Sequence, residues 1–199
     1  MRIENTIVNK DMDRLVTEAI RVVTNSGRRE VIALVGKPYS GKTTILRAIA
    51  DHERRTSKRR VVFLPSGSLL YPDMTVYENI LCPLLIDETQ EETVKRRAHR
   101  LLKALNLSRV GDRYPHELAP DQLVRASLAR ALISDPDIML LDELPLKPNS
   151  WRILRSLQRS MGFTVVWTTH DLREALAVAD KILTIRGHSI EVLKTEELN

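Results

Sequence analysis

The sequence predicts an α/β domain in which a mostly parallel central sheet is flanked by helices, with a small helical segment inserted into it. Two observations carry that prediction. Short apolar runs rich in β-branched residues alternate with stretches whose apolar residues recur at three- and four-residue spacing. A loop bounded by two glycines also closes the first such run and opens the helical stretch that follows it. The size agrees: 199 residues, 43% hydrophobic and 29% charged, suit one well-buried core. The expectation is a single domain over 1–199, with its core at 28–70 and 119–199 and a helical subdomain at about 71–118.

The elements follow in chain order. Met12, Leu15, Val16, Ala19, Ile20 and Val23 share one helical face, so an amphipathic helix over about 11–24 precedes the sheet. Val31 to Val35 is the first strand, because a strand covered on both faces reads as a continuous apolar run. Thr43 to His52 is helical and Val61 to Leu64 is a strand. From Leu81 to Leu118 no buried-strand pattern occurs, while Thr93 to Leu105 is helical, as an inserted subdomain requires. Then come helix Gln122 to Ser134, strand Ile138 to Leu141, helix Ser150 to Met161, strand Thr164 to Thr168, helix Leu172 to Ala179 and strand Ile182 to Ile185. A turn at Gly187 and His188 leads into Ile190 to Leu193 as a closing hairpin.

Composition narrows the function classes. No run approaches the roughly 20 apolar residues of a membrane helix. Glu4, Lys10, Asp11 and Asp13 also interrupt any leader-like apolar block, so the expected location is the cytoplasm. Cys82 is the lone cysteine, which excludes an internal disulfide framework and a cysteine-based metal cluster; it is expected to be a small buried apolar group. A net charge of +5 permits contact with nucleic acid or an anionic surface. The basic residues group at Arg54, Arg55, Lys58, Arg59 and Arg60 and at Lys95, Arg96, Arg97 and Arg100. Few aromatics interleave with them, so they are read as solvated faces, with a nucleic-acid patch as the second reading.

Gly36-Lys37-Pro38-Tyr39-Ser40-Gly41-Lys42-Thr43, followed by Thr44, fits G-x-x-x-x-G-K-[ST] between a strand and a helix. Glycines let that backbone curl so that successive amides and a helix N-terminus converge on phosphate. Lys42 is placed to bridge the β- and γ-phosphates of ATP, and Thr43 to ligate Mg²⁺. Ile138 to Leu141 then delivers Asp142 and Glu143 at the end of a buried strand, where ligands of such sheets bind. Asp142 suits the metal, and Glu143 suits a general base acting on water.

Arg113-Tyr114-Pro115-His116-Glu117-Leu118 leads through Ala119-Pro120-Asp121-Gln122 to Ala129-Arg130-Ala131-Leu132 and Asp135-Pro136 before the acidic strand. Tyr71-Pro72-Asp73-Met74-Thr75-Val76-Tyr77-Glu78-Asn79-Ile80 lies upstream, and Thr169-His170-Asp171 lies downstream. With the phosphate loop, these segments resemble the nucleotide-binding subunits of ABC transporters from Val31 to about Val192. The resemblance implies an ATP hydrolase in which His170 contacts the γ-phosphate and helps hold the attacking water. It also implies a head-to-tail dimer and a transmembrane permease partner, placing the chain at the inner face of the membrane.

The departures from that family are specific. Its Ser-Gly-Gly-Gln signature, which caps ATP held by the opposite subunit, reads Ala119-Pro120-Asp121-Gln122. Ala119 lacks the hydroxyl, Pro120 lacks an N–H, and Asp121 is expected to set negative charge against a polyanion. Each lost hydrogen bond to a charged group is worth about 1.5–3 kcal/mol, so a symmetric ATP sandwich is expected to be weak and a heterodimer is favoured over a homodimer. Ser66 stands where the family has a metal-touching glutamine. Leu144-Pro145-Leu146-Lys147-Pro148-Asn149 replaces the family's loop joining the two sites, and the β-subdomain is shortened. No adenine-stacking aromatic is identifiable near the N-terminus. The alternatives are a non-transport ABC-like protein acting on nucleic acid, or an ATP-binding regulator with little turnover.

Overall fold

The computed structural model describes residues 2–27, 29–67, 70–84, 91–187 and 189–194. In chain order its elements are α1 (Arg2–Thr24), β1 (Val31–Val35), α2 (Lys42–Thr56), β2 (Val61–Leu64), α3 (Val76–Leu81), α4 (Glu91–Ala104), α5 (Pro120–Leu132), β3 (Ile138–Leu141), α6 (Pro148–Met161), β4 (Thr164–Thr169), α7 (Leu172–Val178), β5 (Lys181–Arg186) and β6 (Ser189–Lys194). The expected strands are all present, several longer by a residue or two. The short α3 was not anticipated as a separate helix. His188 of the expected turn, and residues 85–90 of the expected helical segment, lie outside the described residues.

Contacts group the chain into two units, the first comprising Met1–Phe63, Asp137–Glu143 and Phe163–Asn199. Its sheet runs in the order β2-β3-β4-β1-β5-β6. β1 pairs in parallel with β4 and β5, β3 in parallel with β4, and β6 antiparallel with β5. Ile32 and Leu34 of β1, Ile138 and Leu140 of β3, and Val166 of β4 pack with Ile45, Leu46 and Ile49 of α2 and with Leu15, Ala19 and Val23 of α1. Each fully buried aliphatic side chain there contributes about 1.5–3 kcal/mol, so the expected stripe of α1 is core. Glycine at 187 takes φ 57 between β5 and β6, a conformation that costs glycine little.

The second unit comprises Leu64–Pro136 and Leu144–Gly162. It contains the expected helical segment and extends beyond it, because α5 packs on α3 and α4. The Arg125 guanidinium donates to Leu105 O at 2.6 Å and Asn106 O at 3.1 Å, closing the C-terminal end of α4 where cations are favoured. α3 starts with a reciprocal cap: Glu78 N donates to Thr75 Oγ1 at 3.2 Å, and Thr75 N donates to Glu78 Oε2 at 2.8 Å. The Thr75 amide, and after it the Thr75 hydroxyl, hold the Glu78 carboxyl below its ordinary value of 4.5. Cys82 is half-buried rather than buried, since it opens a short 3₁₀ turn at the end of α3.

Candidate functional site

The first unit brings together the loop after β1 and the acids after β3. Gly36 N donates to Thr169 O at 3.3 Å, anchoring the loop to the end of β4, and Ser40 N donates to Lys37 O at 3.2 Å. Lys37, Pro38 and Thr44 are exposed, while Gly36 and Lys42 are buried. Tyr39 is fully exposed and sits at φ 63, a left-handed conformation that costs a bulky residue about 1–3 kcal/mol. Strain of that size persists only where the surrounding structure imposes it. Gly41 takes φ 88 ahead of α2, whose first turn holds Lys42, Thr43 and Thr44.

Lys42 folds back over the loop. Its Nζ donates to Gly36 O at 2.8 Å and Lys37 O at 2.9 Å and lies 3.1 Å from Glu143 Oε1, which occupies all three ammonium protons. Thr43 Oγ1 donates to Asp142 Oδ2 at 2.7 Å, so the two predicted metal ligands touch. Thr168 of β4 completes the arrangement: its hydroxyl donates to Asp142 Oδ1 at 2.9 Å and accepts from Glu143 N at 2.8 Å. Glu143 itself sits at φ 47, held in that strained conformation by the Thr168 bond. Thr168 was not singled out from the sequence. The sequence signalled no more than a threonine at the end of a buried strand, because the pairing of Leu141 with Trp167 that sets it beside the acids belongs to the folded sheet.

The residues suit a phosphate and a small divalent cation. Ser40 Oγ is buried without a hydrogen-bond partner inside the loop, a costly state unless a polar ligand meets it. The hydroxyl of Thr43 and the carboxylate of Asp142 are hard oxygen donors. Among the described residues, no group of three or more His, Cys, Asp or Glu forms a metal cage. Mg²⁺ matches that pattern, because it keeps several waters and is held by one or two protein oxygens together with substrate phosphates.

His170 is exposed one residue beyond Thr169. Ser66 is exposed in a bend after β2, within the second unit. No helix among the described residues is long and apolar enough to cross a membrane. The basic groups are partly engaged within the chain: Arg54 with Asp51, Arg59 with Glu53, and Arg97 with Asp135.

The degenerate signature is a helix start. Pro120 occupies the first turn of α5, where a missing N–H costs nothing, and Gln122 Oε1 accepts from Ala119 N at 2.9 Å. Asp121 does not present free charge as expected. Its carboxylate accepts from Arg125 Nε at 3.0 Å and Ser150 Oγ at 2.8 Å, because Ser150 in the first turn of α6 and Arg125 one helical turn along α5 both face it.

The family model described as ABC transporter matches residues 21–145. The spermidine/putrescine import ATP-binding protein PotA of Photobacterium profundum is 30% identical, over 92% of this chain and 55% of that protein. The sulfate/thiosulfate import ATP-binding protein CysA of Escherichia coli K12 is 34% identical, over 96% of this chain and 59% of that protein. The chain therefore spans little more than half the length of these relatives. Among solved structures, cbiO1 from Clostridium perfringens, part of the transporter complex cbiONQ, superposes with a TM-score of 0.72 at 20% identity, covering 86% of this chain and 79% of that one. A structure described as the ATP-binding subunit of an ABC transporter gives 0.69 at 19% identity, over 86% and 81%. At those identities the structures establish the fold.

Proposed function

The chain belongs to the ABC transporter family, as an ATP-binding subunit, and on that premise we propose that it binds Mg²⁺-ATP in the loop after β1 and hydrolyses it with a partner subunit. The observation that carries this reading is the 2.7 Å contact between Thr43 and Asp142, with Lys42 clamped over the loop beside them. Loop amides and Lys42 would hold the phosphates, and Thr43 and Asp142 would hold the metal. When bound, Mg²⁺ neutralises charge on the terminal phosphates. Glu143 is the general base: a phosphate oxygen taking its place on Lys42 frees its carboxylate for water. Thr168 keeps both acids in place through that exchange, and His170, one residue past β4, would contact the terminal phosphate.

With Asp121 committed to Arg125 and Ser150, this chain's own signature segment is unsuited to capping ATP on a second copy. The partner is therefore a different ABC ATPase subunit with an intact signature, and the pair serves a membrane permease from the cytoplasmic side. Import, as named for PotA and CysA, is the transport direction the relatives favour. Equilibrium titration with a fluorescent ATP analogue tests the reading. The wild type should bind in the presence of Mg²⁺ and Lys42→Ala should lose binding; retained affinity in the folded variant refutes the assignment.

A further inference from the structure

The nucleotide site leaves the basic residues of the second unit without a role. α4 buries Ala98, Leu101 and Leu102 and turns Arg96, His99, Arg100 and Lys103 to solvent. Arg96, Arg100 and Lys103 recur at four- and three-residue spacing, so they form one stripe about 10 Å long on the outer side of the helix. Arg97 turns away from it, to Asp135 at 3.0 Å and Leu132 O at 3.1 Å. Among the described residues no carboxylate pairs with Arg96, Arg100 or Lys103, and Glu92, one turn ahead of the stripe, pairs with none of them. The cations continue past the end of α4. Ala104, next to Lys103, lines a groove with Asn149, Arg152 and Ser156 of α6. α6 carries Arg152, Arg155 and Arg159 and no acid, and Arg152 and Arg159 are exposed two turns apart on one side of it.

What such a surface fits is set by its shape and by what it lacks. A single-stranded nucleic acid is held by open aromatic faces as well as by charge. Beside this stripe the Tyr77 ring is half-buried and lies against His99, 5.1 Å between centroids, so it offers no free stacking face. The apolar side of α4 is committed to α3 and α5, so the helix has no apolar face left to sink among acyl chains. Cations set in a straight line match a flat layer of opposite charge, and a subunit of a transporter family works beside one. We propose that α4 and the first turns of α6 dock on the anionic phospholipid headgroups of the membrane, held by charge alone. This goes beyond the nucleotide reading and does not depend on it, since the phosphate loop belongs to the first unit.

Flotation of the full chain with lipid vesicles tests this. The chain should bind phosphatidylcholine vesicles that contain phosphatidylglycerol, ignore pure phosphatidylcholine, and let go as salt is raised, because exposed charges are screened. Each Lys or Arg at such a surface is worth about 5-fold in binding, so Arg96→Gln with Arg100→Gln should weaken it about 10–30-fold. Arg96→Lys with Arg100→Lys should keep most of the binding, and circular dichroism should show both variants folded. Arg54→Gln with Arg55→Gln, at the end of α2, removes the same charge elsewhere and should leave vesicle binding nearly unchanged. An equal loss from the α2 pair would show that net charge, and not this face, draws the chain to lipid, and would overturn the proposal. So would failure to bind the anionic vesicles, equal binding to pure phosphatidylcholine, or displacement by glycerol phosphate at matched phosphate concentration. Tighter binding to a single-stranded oligonucleotide, lost on the same α4 substitutions, would assign the face to nucleic acid instead.

Discussion

Replacing Glu143 with glutamine should tighten ATP binding while stopping hydrolysis. Lys42 has three ammonium protons, of which one points to Glu143 Oε1 at 3.1 Å and the others to Gly36 O and Lys37 O. A phosphate oxygen must take the Glu143 proton to be bound by Lys42, so the ion pair competes with the ligand. Lys42 is 4% exposed and Glu143 46%, which leaves the carboxylate half in solvent. Exposed pairs contribute about 0.2–1 kcal/mol, and one partner being buried favours the upper half of that range, about 0.5–1 kcal/mol. Removing the competing charge should therefore lower the Kd for Mg²⁺-ATP about 2–5-fold. Titration of a fluorescent ATP analogue gives the Kd, and single-turnover phosphate release in the presence of the partner gives the chemical step. Weaker ATP binding by a folded Glu143→Gln variant, or unchanged phosphate release, would refute the double role.

Thr168→Val removes one hydroxyl from a fully buried position and strands both Asp142 Oδ1 and the Glu143 amide. It should cost about 1–3 kcal/mol in urea unfolding and reduce phosphate release more than ATP affinity. Asp121→Asn should destabilise the chain by about 1–3 kcal/mol, because the largely buried Arg125 loses its carboxylate. The Asp121 and Ser150 effects should then be non-additive in a double-mutant cycle, whereas additive costs would show that the three groups do not act together. Glu78 titrates below 4.5, so the stability it lends α3 is present above that value and lost as pH falls through the lowered one. The Thr75 amide resonance should accordingly titrate below pH 4.5, and Glu78→Gln should abolish that titration.

Much of the fold is written locally. Val31 to Val35 and Ile138 to Leu141 are buried on both faces, so their apolar character shows with no knowledge of their neighbours. The phosphate loop is contiguous, and its glycines, lysine and threonine announce their chemistry by spacing alone. The acids are legible for the same reason, since Asp142 and Glu143 directly follow a buried strand.

What the tertiary structure decided are relations between residues remote in the chain. Thr168 bonds both acids only because β3 lies beside β4, a strand order that no periodicity encodes. Asp121 is neutralised because the first turns of α5 and α6 come together, so its charge read in isolation misleads. The apolar stripe of α1 was visible, and that Met12 ends on Gly41 was not. Local pattern reports which face of a segment avoids water, whereas the pairing of two faces is settled by the packing of the whole chain.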